Sequence, residues 1–222
     1  MRTNQNSNQA QYISSLMNQE SKGELQSRLF AEQLGLGRIS LSTNEAGILE
    51  MMIRLHGGEK FVEIGTLTGL SMQAILRALP ENAKLWTLEK NTIHADYAAQ
   101  ALMNSELSEK KKLQVQFIVG DARQTLQEMT AQSPFDGVFI DGNKAAYLDY
   151  LKWSEENIKP GGIIIADNVF LSGAVWGEET KQKFSEKQIR VMQEFNRSLF
   201  NFEKYFSALI PTEEGMIVAI KK

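Results

Sequence analysis

"KFVEIGTLTGLSMQAILRALP", residues 60–80, changes its hydrophobic period partway along. "KFVEI" (60–64) is short and apolar-rich, as a buried strand is. "SMQAILRAL" (71–79) is spaced as a helix, and Pro80 ends it. Between them Gly65 and Gly69 let a turn pass close to a ligand, and Ser71 stands at the helix start. These glycines are four apart and an acid, Glu63, precedes the first, so this is not the Gly-x-Gly-x-x-Gly of dinucleotide binding. Taken alone, the glycines also read as a bare tight turn. Glu63 is harder to set aside, because an acid at the end of a buried strand needs a donor or cationic partner.

The strand-then-helix pattern repeats downstream. "AKLWTLE" (83–89), "LQVQFIVG" (113–120), "FDGVFID" (135–141) and "IIIAD" (163–167) read as strands. Helices are predicted over 94–107, 122–129, 145–158 and 187–201. Lys159-Pro160-Gly161-Gly162 reads as a strong turn. "KYFSALIP" (204–211) and "GMIVAIKK" (215–222), joined by Thr212-Glu213-Glu214, read as a closing antiparallel hairpin. Upstream, residues 12–35 are spaced as a helix interrupted near Lys22-Gly23. Ser42 and Glu45 then form a capping box that opens a helix ending at His56-Gly57-Gly58. The expected fold is α/β: a doubly wound, mostly parallel seven-stranded sheet with a C-terminal antiparallel hairpin, in a single domain. Residues 1–40 are expected to be an N-terminal helical extension, frayed over the first ten or so, and residues 41–222 the main domain.

Composition narrows the chemistry. The chain has 222 residues, a net charge of -3, two histidines and no cysteine. Thiolate zinc sites, thiol nucleophiles and disulfides are excluded, and any metal should be a hard cation held by oxygen. His56 and His94 lack a second histidine at ligand spacing. Lys110-Lys111-Lys112 is the one tight basic run and reads as a solvated loop. No stretch approaches the roughly 18 to 20 apolar residues of a membrane span. The polar N-terminus lacks a signal-peptide core, so a cytoplasmic location is expected.

In doubly wound sheets ligands bind beyond the carboxyl ends of the strands. Five predicted strands end on informative residues. The first leads into Gly65, Thr66 and Ser71. The second ends in Glu89, twenty-six residues beyond Glu63, where an acid can accept both ribose hydroxyls of a nucleoside or simply face solvent. The third runs into Gly120-Asp121-Ala122, where Asp121 can accept from an adenine amino group, cap the following helix, or do both. The fourth ends in Asp141 and the fifth in Asp167-Asn168. Two carboxylates and an amide at neighbouring strand ends suit Mg²⁺, Mn²⁺ or Ca²⁺. Lys144, three residues past Asp141, shares a turn with it.

Together, "FVEIGTLTGLS", "GDA", "FIDGNKAAYLDYL" and "KPGGIIIADNVFLSG" make the chain resemble the metal-dependent class I O-methyltransferases that use S-adenosylmethionine (SAM), in particular the caffeoyl-CoA and bacterial catechol-type enzymes. The Asp-x-x-Lys, followed by Asp-Asn twenty-three residues after the lysine, is the more specific part of this likeness. The resemblance implies that Glu63, Gly65, Thr66 and Ser71 hold the methionine end of SAM, Glu89 its ribose, and Asp121 with Ala122 its adenine. Asp141 also borders the cofactor. Asp141, Asp167 and Asn168 match the metal ligands, with Mg²⁺ foremost, and Lys144 matches the general base beside Asp141. The implied partners are a small phenolic or catechol acceptor and a second copy of the chain, as a homodimer. Some bacterial relatives methylate a hydroxylated uridine in tRNA, which makes nucleic acid a competing partner. A non-catalytic SAM-binding scaffold is a further reading, and predicts damage at metal or base positions that are intact here. Phe170-Leu171-Ser172 stands where plant members have Leu-Trp-Asn. Trp176, in the atypical segment that follows, either packs on an aromatic substrate or covers the core.

Overall fold

The computed structural model describes residues 8–17 and 20–222. Its seven strands are β1 (Lys60–Ile64), β2 (Lys84–Glu89), β3 (Val115–Val119), β4 (Phe135–Ile140), β5 (Ile158–Asp167), β6 (Tyr205–Ile210) and β7 (Met216–Lys221). They are ordered β3-β2-β1-β4-β5-β7-β6. β1, β4 and β5 are parallel, as are β2 and β3, and β7 runs antiparallel to both β5 and β6. This is the mostly parallel sheet with a closing hairpin that the sequence predicts. The strand order reverses between β1 and β4, which is where such a sheet opens a crevice for ligands.

The chain forms two compact units. One joins the residues up to Glu59 to Thr66–Gly120. It contains α1 (Asn8–Leu16), α2 (Lys22–Gln33), α3 (Thr43–His56), α4 (Leu70–Ala78), α5 (Thr92–Met103) and α6 (Glu109–Lys112). α3 opens on the predicted Ser42–Glu45 capping box and closes on Gly57 at φ +71°. The break in the N-terminal helical stretch lies ahead of Lys22-Gly23. Ser21 and Glu24 form a second capping box, and Gly23 lies inside the first turn of α2. A Cβ at Gly23 would come within 2.6 Å of the Ser105 Cβ, so this glycine serves close packing. The expected fraying of the first ten or so residues falls largely outside the described residues, and α1 begins at Asn8.

Arg77 of α4 draws this unit's helices together. It pairs with Glu24 of α2 at 2.8 Å and Glu50 of α3 at 2.9 Å. The Phe30 and Tyr97 rings stack at 4.3 Å, joining α2 to α5. Lys110–Lys112 is not a loop. Ser108 caps α6, and Lys111 Nζ donates to the Leu76 carbonyl at 2.9 Å and to that of Leu79, occupying acceptors at the end of α4. Lys110 pairs with Glu81 and Lys112 with Glu109.

The other unit joins Lys60–Gly65 to Asp121–Lys222. Around β1 and β4–β7 it carries α7 (Ala122–Met129), α8 (Tyr147–Asn157) and α9 (Glu186–Leu199). Every residue of β4 is buried, as are Ile163–Asp167 of β5. Strands buried along their length in this way belong to a sheet covered on both faces. The predicted turn at Lys159–Gly162 does not end a strand. Phe135 pairs with Ile158 and Gly137 with Ile163, so the four residues form a bulge inside β5 while one residue, Asp136, spans the same interval on β4. Gly161 adopts φ +78° there.

Candidate active site

The metal and base residues predicted from sequence all lie in the unit containing β4 and β5. Ile140 of β4 is in register with Ala166 of β5, so Asp141 and Asp167 leave adjacent parallel strands at the same level. The turn after β1 meets this place from the other side. Asp141 N–H donates to the Ile64 carbonyl at 2.9 Å. Gly65 adopts φ +100°, and a Cβ there would overlap the Asp141 carbonyl. Glycine is therefore required twice over, by conformation and by contact. Glu63, at the end of β1, is fully buried.

Past Asp141, Asn143 caps a short 3-10 turn over Lys144–Ala146 that runs into α8. That turn folds Lys144 back towards the strand end. Its ammonium donates to Asp141 Oδ1 at 2.7 Å and to the Tyr147 hydroxyl at 2.8 Å. Tyr147 in turn donates to the Asp167 main-chain carbonyl at 2.8 Å. The side chains of Asp141 and Lys144 are each less than one-fifth exposed, and Tyr147 is wholly buried. Burial pushes the Tyr147 hydroxyl well above the ordinary tyrosine pKa, and the charges of Asp141 and Asp167 push it the same way. The phenol therefore stays protonated and keeps its donor. Asp167 is fully buried, and its Oδ2 accepts from the Asn168 side-chain amide at 3.0 Å.

Asn168 begins a strained loop. It adopts φ +59°, Leu171 +48° and Ser172 +54°, in the left-handed region that few non-glycine residues occupy. The β6–β7 turn holds this loop. Val169 N–H donates to the Gly215 carbonyl and Phe170 N–H to that of Glu214. Buried Glu214 accepts from both the main-chain N–H and the hydroxyl of Ser172 at 3.0 Å. From α9, Asn196 donates to the Val169 carbonyl at 2.9 Å. Trp176 stands edge-on to Phe170 at 5.1 Å and is 59% exposed, so it does not cover the core.

The remaining cofactor candidates divide between the units. Asp121 caps α7, accepting from Arg123 N–H at 3.1 Å, and the Arg123 guanidinium holds both its oxygens at 3.0 Å. Ala122 is the first residue of that helix. In the unit containing β2, Glu89 accepts from Leu67 N–H and Asn91 N–H, each at 2.9 Å, which shapes the turn that carries Thr66. Thr66 is buried and shares a hydrogen bond with Thr87. Ser71 is buried in the first turn of α4.

The donor set Asp141, Asp167 and Asn168 fits a hard divalent cation, with two carboxylates and one amide oxygen delivered from adjacent strand ends. Among the described residues, no group of three or more His, Cys, Asp and Glu side chains offers an alternative. Two structural residues, Tyr147 and Glu214, are not marked by the sequence reading. The spacing of Tyr147, three past Lys144, was the available signal for the first. The acid in the hairpin turn was the signal for the second.

Comparison with known proteins identifies the family. Residues 12–222 match the family model described as O-methyltransferase. The chain is 33% identical over 190 residues to a catechol O-methyltransferase of Niastella koreensis, covering 85% of this chain and 82% of that protein. It is 26% identical to caffeoyl-CoA O-methyltransferase 1 of Eucalyptus globulus, over 80% of this chain and 73% of that one. The O-methyltransferase TomG of Streptomyces achromogenes, involved in tomaymycin synthesis and solved in complex with SAM, superposes with a TM-score of 0.81 at 26% identity. That match covers 95% of this chain and 94% of TomG. The chain thus belongs to the class I SAM-dependent O-methyltransferase family.

Proposed function

We propose that this enzyme moves a methyl group from SAM to a hydroxyl of a small catechol-like or phenolic acceptor, in a reaction that depends on a divalent cation. The observation that carries this reading is the link from Asp141 through Lys144 and Tyr147 to the end of β5. It ties the base to one acid, Asp141, and to the main chain of the other, Asp167, at the carboxyl ends of β4 and β5.

SAM, when bound, supplies a methyl already activated on a sulfonium. A divalent cation held by Asp141, Asp167 and Asn168 supplies positive charge that favours the ionised form of the acceptor, and Mg²⁺ suits that donor set. A phenol has a pKa near 10, so at neutral pH it needs help to lose its proton. Lys144 is the group that takes it. The proton passes from the acceptor hydroxyl to the Lys144 nitrogen, and Asp141 Oδ1 and the Tyr147 hydroxyl accept from the resulting ammonium. By the resemblance, Glu63, Gly65, Thr66 and Ser71 would serve the methionine end of the cofactor, Glu89 the ribose, and Asp121 with Ala122 the adenine. Aligning donor and acceptor supplies much of the rate, since methyl transfer rewards an in-line approach.

We assign residues 41–222 to the methyltransferase domain, with the helices α1 and α2 preceding it. We place the protein in the cytoplasm as a homodimer. Among the described residues, no helix is long and apolar enough to cross a membrane. A tRNA substrate would have to draw on Lys181, Lys183 and Lys187, which are exposed, because Lys110, Lys111 and Lys112 all bind acceptors within their own unit.

The test is methyl transfer from labelled SAM to a panel of catechols and, in parallel, to total tRNA. Labelled catechol product is expected. Transfer to tRNA with none to any catechol would contradict the proposal.

A further inference from the structure

Among the described contacts of this site, Tyr147 is the one side chain hydrogen-bonded to both Lys144 and the end of β5. Its hydroxyl accepts from Lys144 Nζ at 2.8 Å and donates to the Asp167 carbonyl at 2.8 Å, with the Ile140 carbonyl at 3.3 Å as a second acceptor. The Lys144 nitrogen also lies 5.0 Å from the centre of the Tyr147 ring. The ring itself is fixed: it meets Phe195 of α9 edge-on at 5.0 Å and Tyr150 at 6.1 Å. Tyr147 is fully buried, so its hydroxyl has a single well-defined position.

We propose that Tyr147 is a positioning residue for Lys144, its hydroxyl fixing the amine against the carboxyl ends of β4 and β5. This rests on the reading of Lys144 as the base. A lysine side chain has four rotatable bonds and a strong preference for water. Asp141 alone anchors the amine to its own strand end. The second contact ties it to the main chain of the neighbouring strand, which carries Asp167. Two anchors on two strands restrict the nitrogen far more than one. A base must lie within hydrogen-bond reach of the proton that it removes, so that restriction acts on the rate of transfer and not on the binding of either substrate. A phenylalanine in the same place keeps the ring contacts and removes the hydroxyl's hydrogen bonds, to Lys144 and to the Asp167 carbonyl.

The test is a double-substitution cycle, with catechol as acceptor and saturating Mg²⁺ and SAM. Tyr147→Phe is expected to lower kcat about tenfold, a fraction of the roughly 10²- to 10⁴-fold that a general base contributes, with acceptor KM and SAM Kd nearly unchanged. In the Lys144→Met background the same change should alter kcat less than about twofold, because no amine is left to position. A crystal structure of Tyr147→Phe should show Lys144 Nζ displaced from its present place. A packing role alone would lower Tm and leave kcat per folded molecule intact, and that result would overturn the proposal. So would effects of the two substitutions that multiply. An unchanged kcat in Lys144→Met alone overturns the base assignment itself, and it is told apart because no Tyr147 variant is involved.

Discussion

Ile140 and Ala166 are register partners on adjacent parallel strands, and the residue after each is an aspartate. That single pairing sets two carboxylates, Asp141 and Asp167, side by side. A slip of one residue would send one of them to the opposite face of the sheet. What surrounds the pair keeps the register: the bulge at 159–162, the Gly65 turn, and the β6–β7 hairpin that grips the loop beyond Asn168.

Gly65→Ala should be destabilising well beyond an ordinary surface change. The left-handed backbone costs an alanine about 1 to 2 kcal/mol, and its Cβ would also overlap the Asp141 carbonyl. For a chain of this length, the backbone cost alone corresponds to a melting temperature lower by about 2 to 8 °C. Thermal unfolding of the variant checks it. An unchanged Tm would mean that the turn relaxes away from Asp141 at no cost.

Glu214→Ala removes the acceptor for the Ser172 N–H and hydroxyl. Hydrogen bonds to a buried charged group contribute about 1.5 to 3 kcal/mol, and the orphaned main-chain donor adds to the loss. Glu214→Gln keeps one acceptor oxygen and should fall between the variant and the wild type. Urea unfolding of the three proteins orders them.

Acid should weaken the helical network around Arg77. Burial pulls the Glu50 carboxyl upward, but hydrogen bonds from Arg77 and Arg54 outweigh it and leave its pKa below the ordinary value of 4.5. Glu20 behaves alike, with Arg28 and Thr43 as donors. A carboxylate whose pKa is depressed by folding contributes stability above its unfolded pKa, and that contribution is lost as pH falls through the folded value. Urea unfolding across pH 6 to about 3 should therefore show stability declining below roughly 4.5, with a shallower decline in Glu50→Gln. Identical slopes in the two proteins would remove Glu50 as a contributor.

Much of this fold can be read from local pattern. Ala122–Met129 has the predicted limits, and the hairpin follows its alternation closely. The departures share a cause: a local signal overruled by a distant partner. Lys-Pro-Gly-Gly has turn chemistry, but β4 pairs on both sides of it, so the strand continues through. Three consecutive lysines look solvated, but the end of α4 presents carbonyls to Lys111. The places of Asp141, Lys144, Asp167 and Asn168 at or just past the strand ends were legible because strand ends in a doubly wound sheet converge by topology. Tyr147 and Glu214 were not. Their spacing and residue type were visible, but their role lies in what a buried hydroxyl and a buried carboxylate face, which the sequence does not encode.

The most direct measurement is methyl transfer to catechol by protein stripped with EDTA, then titrated with Mg²⁺ or Mn²⁺. Wild-type activity should vanish on stripping and return with the metal. Asp167→Ala should stay inactive across the titration while binding SAM within about twofold of the wild type. Full transfer in excess EDTA would contradict the account, because the paired aspartates at the ends of β4 and β5 would then hold nothing that the reaction needs.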